Sequence, residues 1–198
     1  MRTLEEAALD ASTCTKCRLS QGRTQVVYGV GDPNADLMFI GEAPGFHEDK
    51  QGEPFVGAAG QLLNQLLTEI DVPRDDVYIN NVILCRPPGN RDPLPDELEA
   101  CKPWLDERVA LIDPAVVVTL GNWATRYILG KQVSISRVRG QRFPWSGRTV
   151  IPTFHPAAVL HGGGQASNQM TALRADFLEI RRALAERPQP AEEQLGLF

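Results

Sequence analysis

Leu37-Met38-Phe39-Ile40-Gly41-Glu42-Ala43-Pro44-Gly45 is the stretch that decides the fold. Four consecutive apolar residues without alternation suit a strand buried on both faces. The run stops abruptly in a loop of glycine, proline and one carboxylate, the usual place for ligand chemistry in a parallel sheet. Downstream, Leu62, Leu63, Leu66, Leu67 and Ile70 repeat at helical spacing. Val77 to Leu84 and Ala115 to Leu120 read as further buried strands, and Asn122 to Leu129 as a helix. Asp96 with Glu99 resembles a capping box that opens a helix running through Leu105, Val109 and Ile112. Pro103 inside that helix predicts a kink or a later start. Phe143–Trp145 and Thr149–Phe154 read as strands, the second weakened by Pro152. Met170, Leu173, Phe177, Ile180 and Leu184 mark a last helix. Upstream, Leu4 to Ser12 reads as a short helix and Val26 to Val30 as a strand. Strands alternating with helices predict an α/β fold. We expect one domain over residues 1–185, with a central, mostly parallel four-stranded sheet flanked by helices. Residues 186–198, rich in Pro, Glu and Gln, read as a flexible tail.

The chain has 198 residues, 42% hydrophobic and 23% charged, enough to bury a core without metal or disulfide as a condition of folding. Twenty Lys and Arg against 25 Asp and Glu leave a net charge of −5. Attachment to nucleic acid by net charge alone is therefore excluded, while a local basic face is not. No apolar run approaches the length of a membrane span, and the acidic N-terminus does not resemble a signal peptide. The expected compartment is the cytoplasm, where cysteines more often bind metal than form disulfides.

The four cysteines are Cys14 and Cys17, separated by two residues, then Cys85 and Cys101. A CxxC with two more thiols suits a tetrahedral sulfur site, and the spacing alone leaves zinc and an iron–sulfur cluster equally open. Buried core thiols beside a lone redox pair are the alternative. Three loops at the carboxyl ends of the expected strands carry polar groups: Gly41 to Gly45 with Glu42, Asn80-Asn81, and His155-Pro156. Each alone is weak. Together they bring a carboxylate, an amide and an imidazole to one sheet edge, and Phe55 adds an aromatic plane. Such a set suits a planar ligand with polar edges, such as a nucleobase. Neither a Walker A motif, GxGxxG nor GxSxG is present.

At this point the motifs resemble those of the family 4, iron–sulfur uracil-DNA glycosylases. The resemblance rests on Gly41 to Asp49, Pro54 to Leu63, Tyr78-Ile79-Asn80-Asn81, Cys85 to Arg91 and Phe154-His155-Pro156-Ala157, with the four cysteines in order. It implies a [4Fe–4S] cluster on Cys14, Cys17, Cys85 and Cys101, and hydrolytic release of uracil from DNA in base-excision repair. It also implies that Phe55 stacks on the flipped uracil. Asn81 then reads the uracil edge, and cytosine, with the opposite donor pattern, leaves buried groups unpaired. His155 donates towards O2, and the backbone of Gly41, Glu42 and Ala43 lines the pocket. More familiar uracil glycosylases place an aspartate where this chain has Ala43. Glu42 is the first choice to hold the attacking water and Glu48 the second, with Glu48 alternatively blocking the 5-methyl group of thymine.

For DNA contact we expect Arg86 and Arg91 beside Cys85, Arg137, Arg139, Arg142 and Arg148 around Gly140, and Leu160 as a wedge into the vacated base stack. The C-terminal Gln194-Leu195-Gly196-Leu197-Phe198 resembles the bacterial sliding-clamp binding pentapeptide, through Gln194, Leu195, Leu197 and Phe198. A monomer is the default. Two other functions compete: a related glycosylase acting on other deaminated bases, and a non-enzymatic iron–sulfur or zinc sensor of nucleic acid. The sensor accounts for the cysteines but not for Phe55, Asn81 and His155 together.

Overall fold

The computed structural model describes residues 2–186. The clamp-like segment Gln194–Phe198 lies outside them. Four strands form the centre of the sheet: β2 (Leu37–Gly41), β3 (Val77–Asn81), β4 (Val116–Leu120) and β6 (Arg148–Thr153). All four run parallel, in the order β3-β2-β4-β6. Every residue of β2, β3 and β4 is buried, as the unbroken apolar runs require.

The sheet has six strands rather than four. Two short antiparallel edges, β1 (Val30–Gly31) and β5 (Phe143–Trp145), flank the parallel centre. Of the expected 26–30 strand only Val30 joins the sheet, opposite Ile79, while the Val27 N–H donates to the Leu84 carbonyl at 2.9 Å. Pro152 is accommodated in β6 because β5 pairs only as far as Val150, so no ladder donor is needed on that side.

Helices cover both faces. On one lie α1 (Leu4–Ser12), α4 (Pro95–Ile112) and α5 (Gly121–Leu129), packed on Met38, Ile40, Tyr78 and Val117. On the other lie α3 (Ala58–Glu69) and α8 (Asn168–Ala185), packed on Phe39, Ile79, Val118 and Ile151. The alternation of β2 divides its apolar run between the two cores, so neither face is left open. Short helices α2 (Phe46–Gln51), α6 (Ile135–Val138) and α7 (Pro156–His161) complete the set. The capping carboxylate of α4 is Glu97, not Glu99: it accepts the Leu94 N–H at 2.8 Å. The helix runs from Pro95 through Pro103, so the later start expected from that proline does not occur. Leu105, Val109 and Ile112 hold it against the sheet on its buried side.

Parallel order sends the ends of β2, β3 and β6 to the same edge. Register places Gly41 opposite Asn81 and Leu120 opposite Thr153. The three polar loops of the sequence therefore meet.

Candidate functional site

A cavity of about 420 Å³ opens at that edge. Glu42, Glu48, Phe55, Asn81, Arg91 and His155 all line it, with Ala43, Pro44 and Gly45 forming its floor loop. The volume suits a small planar ligand.

Gly41 is the pivot. A Cβ there would lie 2.9 Å from the Phe55 ring and closer still to Asn81 Oδ1. Only the absence of a side chain lets the ring and the amide approach β2 together. Phe55 itself has φ of 55°, an uncommon conformation for a bulky residue. Two clamps hold it. Arg74 donates to the Pro54 carbonyl at 3.1 Å and to Asn64 Oδ1 at 2.6 Å. Glu48 Oε1 accepts the N–H groups of Val56 at 3.1 Å and Gly57 at 3.2 Å. Gly60 completes the fit, because any Cβ there would overlap the Phe55 carbonyl.

His155 caps α7. Its Nδ1 accepts the Ala157 N–H at 3.2 Å, so in the neutral ring the proton sits on Nε2. Burial pushes its pKa down to about 4 against the opposing pull of Glu48, so the ring is neutral at pH 7. Its plane lies 25° from that of Phe55, with ring centres 5.5 Å apart. Asn81 is buried, and its carbonyl accepts Arg108 Nη2 at 3.1 Å. The pKa of Glu42 is raised to about 7, chiefly by burial, with Asp92 adding to the shift. At neutral pH it is therefore poised between acid and base.

Arg108 was not legible as a site residue, although it falls at helical spacing with Leu105 and Ile112 on the buried face. It is fully buried, and its guanidinium bonds the carbonyls of Trp104, Tyr28 and Asn81 at 3.1, 2.5 and 3.1 Å. Arg74, Gly60 and the clamping contacts of Glu48 were likewise invisible from local sequence.

The expected arginines separate. Arg91 lines the cavity and pairs with the buried Glu97. Arg86 lines a neighbouring concavity and donates to Asn90 Oδ1 at 2.7 Å. Arg139 is tied to Asp176, which also accepts from Thr153, and Arg142 to Glu179 and Glu186. Arg148 pairs with Asp113 at the start of β6, the edge of the sheet remote from the cavity. Arg137 is exposed. Leu160, on α7, is partly exposed close to the cavity wall formed by Ala157 and Ala158.

Cys85 and Cys101 are buried, and Cys14 and Cys17 pack against the same core. Trp104 Nε1 donates to Cys14 Sγ at 3.4 Å and Arg23 to Cys85 Sγ at 3.5 Å, contacts that favour thiolate sulfur. Burial and the nearby sulfurs push the Cys101 thiol up to about 12. It ionises only when a cation takes the place of its proton. No three His, Cys, Asp or Glu side chains among the described residues close on one point as a single ion needs. A zinc tetrahedron would hold its sulfurs about 3.8 Å apart. The four cysteines thus adjoin one core, with N–H···S donors at Cys14 and Cys85, and form no clear metal site among the described residues.

Comparison with known proteins agrees with this geometry. The family model described as the uracil DNA glycosylase superfamily matches residues 28–179. A type-4 uracil-DNA glycosylase of Sulfurisphaera tokodaii is 47% identical over 190 residues, covering 91% of this chain and 84% of its own. One from Thermotoga maritima is 44% identical over 176 residues, 88% of this chain and 90% of its own. A type-5 uracil-DNA glycosylase of Thermus thermophilus is 33% identical over 174 residues, 78% of this chain and 76% of its own. The chain belongs to the uracil-DNA glycosylase superfamily and, within it, to the type-4 branch. No helix among the described residues is long and apolar enough to cross a membrane.

Proposed function

We propose that the protein excises uracil from DNA by hydrolysing its N-glycosidic bond, leaving an abasic site for base-excision repair. The observation that carries this reading is the convergence of Glu42, Phe55, Asn81 and His155 on one cavity. A base inside a duplex cannot reach such a cavity, so uracil is flipped into it. Phe55 stacks on the ring. The Asn81 amide oxygen accepts from N3–H and its nitrogen donates to O4, an arrangement that cytosine mismatches. His155 donates from Nε2 towards O2, where negative charge grows as the bond to the sugar breaks. A preorganised donor of this kind lowers a barrier by about 3 kcal/mol. The sugar develops oxocarbenium character and water adds to it.

Glu42 is the better choice to hold that water. Glu48, the second choice, already spends one oxygen on the Val56 and Gly57 N–H groups. Its position beside Phe55 supports the role of shaping the pocket, including against a 5-methyl group. A [4Fe–4S] cluster on Cys14, Cys17, Cys85 and Cys101 would tie the N-terminal segment to α4 and supply no reaction step. Substrate DNA would meet Arg86, Arg91 and Leu160 around the cavity mouth. Arg137, Arg139 and Arg142 are held to a lesser part, the last two being committed to acids. The C-terminal pentapeptide carries the reading of a sliding-clamp ligand, for a monomer acting on DNA in the cytoplasm. Asn81→Ala and His155→Ala test the site: each should lose turnover on uracil-containing DNA while still binding it. Turnover retained by either variant would refute its role. Iron analysis tests the cluster: four irons per chain in wild type and loss on Cys101→Ser are expected, and iron-free, zinc-loaded protein would contradict it.

A further inference from the structure

Phe46 opens α2 immediately after the cavity's floor loop, and it is 45% exposed. Its neighbours in sequence, Gly45 and Glu48, line the cavity, yet Phe46 does not. Two cations attend the ring: Lys50 Nζ at 4.5 Å and the Arg86 guanidinium at 5.1 Å from its centre. His47 meets its edge at 5.4 Å. Arg86 also faces the second concavity, of about 440 Å³, which shares Pro87 and Arg91 with the first. Arg18, Arg86 and Arg91 line that concavity, and no acid does. Arg18 and Arg91 are paired with Asp96 and Glu97, whereas the hydrogen bond of Arg86 is to the neutral Asn90 side chain.

Among the described residues Phe46 is the aromatic that stands exposed, with Lys50 and Arg86 both over its ring. It has the composition of a base-stacking platform: a π-face that opens to a base when a cation moves from the ring to a flanking phosphate. We propose that Phe46 stacks on a base adjacent to the flipped uracil, with Arg86 and Lys50 meeting the phosphates that flank that base. This rests on the uracil-excision reading and extends it to the neighbouring nucleotide. Stacking outside the cavity strengthens substrate capture without touching the bond that breaks. Its loss therefore appears in KM and not in kcat.

The experiment removes the platform and its base in turn. Phe46→Ala should raise KM for a uracil-containing oligonucleotide about tenfold, within the range of base–aromatic stacking. Its kcat and the inhibition constant of free uracil, which fills only the cavity, should hold. Phe46→Trp should restore KM. In wild type, replacing one flanking base by an abasic residue should cost the same tenfold, on one side of uracil only. On Phe46→Ala that replacement should cost nothing more. An unchanged KM, a matching loss of free-uracil binding, or penalties that multiply at both flanks would overturn the proposal. Wild-type protein that releases no uracil would instead overturn the underlying reading. Lys50→Gln should reduce the dependence of log KM on log salt by about one phosphate contact.

Discussion

Gly41→Ala is the most informative single perturbation. The new methyl group would sit 2.9 Å from the Phe55 ring and nearer still to Asn81 Oδ1, whereas ordinary contact begins at 3.4 Å. Phe55 must therefore retreat by at least half an ångström and Asn81 by more. Neither can do so freely. Phe55 is pinned by the Glu48 and Arg74 contacts, and Asn81 by its place in β3 and the Arg108 bond. Gly41 does not occupy the left-handed region, so alanine brings steric displacement without backbone strain. A displacement approaching 1 Å in groups that orient the reacting base costs about a hundredfold in rate. Steady-state release of uracil from an oligonucleotide should show kcat/KM down by about that factor, with the far-ultraviolet circular dichroism unchanged. Gly22→Ala, where a Cβ meets nothing within 4 Å, is the matched control and should behave as wild type. Adding Asn81→Ala to Gly41→Ala should cost much less than on the wild-type background, because the amide has already been moved. Wild-type kinetics in Gly41→Ala would refute the claim that these two side chains share one crowded wall.

Four further outcomes are expected. With Glu42 shifted to about 7, kcat should rise with pH through about 7, and Glu42→Gln should be slower and lose that limb; an acid limb unaltered in the variant would contradict it. The same upward shift favours the folded state's protonated carboxyl, so it costs stability as pH rises from the unfolded value near 4.5 through about 7. The depressed His155 acts oppositely, its contribution being lost as pH falls from about 6.5 through about 4. Thermal melts of Glu42→Gln should accordingly gain on wild type at pH 8 and not at pH 4.5. Arg108→Met should lower stability by about 3 kcal/mol, since three carbonyls lose a charged donor, and should reduce uracil turnover through the Asn81 carbonyl; chemical denaturation and kinetics on the same preparation check both. Glu48→Ala should release the Phe55 loop and raise KM at least tenfold, whereas Glu48→Gln, which keeps an acceptor for the Val56 and Gly57 N–H groups, should retain most activity.

The parallel centre of the sheet was legible because its strands are buried on both faces and so carry unbroken apolar runs. Order along the chain then brought Glu42, Asn81 and His155 to one edge without knowledge of any contact. Of the edge strands, β5 was legible at its observed bounds, and β1 was harder. β1 is two residues long and owes its existence to pairing with β3, not to any pattern of its own. Six-residue α2, Phe46–Gln51, holds too few apolar positions for a helical period to show. Pro103 did not delay the start of α4, whose Leu105, Val109 and Ile112 pack into the core beyond it. The ion pairs of the arginines were not legible either: Arg139 and Arg142 lie near Gly140 in sequence, but Asp176 and Glu179, which pair with them, come from α8, 37 residues on. The clamps on Phe55 are equally non-local, with Arg74 reaching back 20 residues to Pro54.

The central claim is tested most directly by base release from three oligonucleotides that differ only in carrying uracil, cytosine or thymine at one position. The protein is purified with its metal content intact, and abasic sites are read as strand breaks after alkali. The account predicts cleavage of the uracil strand alone, with free uracil recovered in equal amount and loss of the signal in Asn81→Ala. Folded wild-type protein that releases nothing from the uracil strand, or that releases cytosine equally, would contradict it.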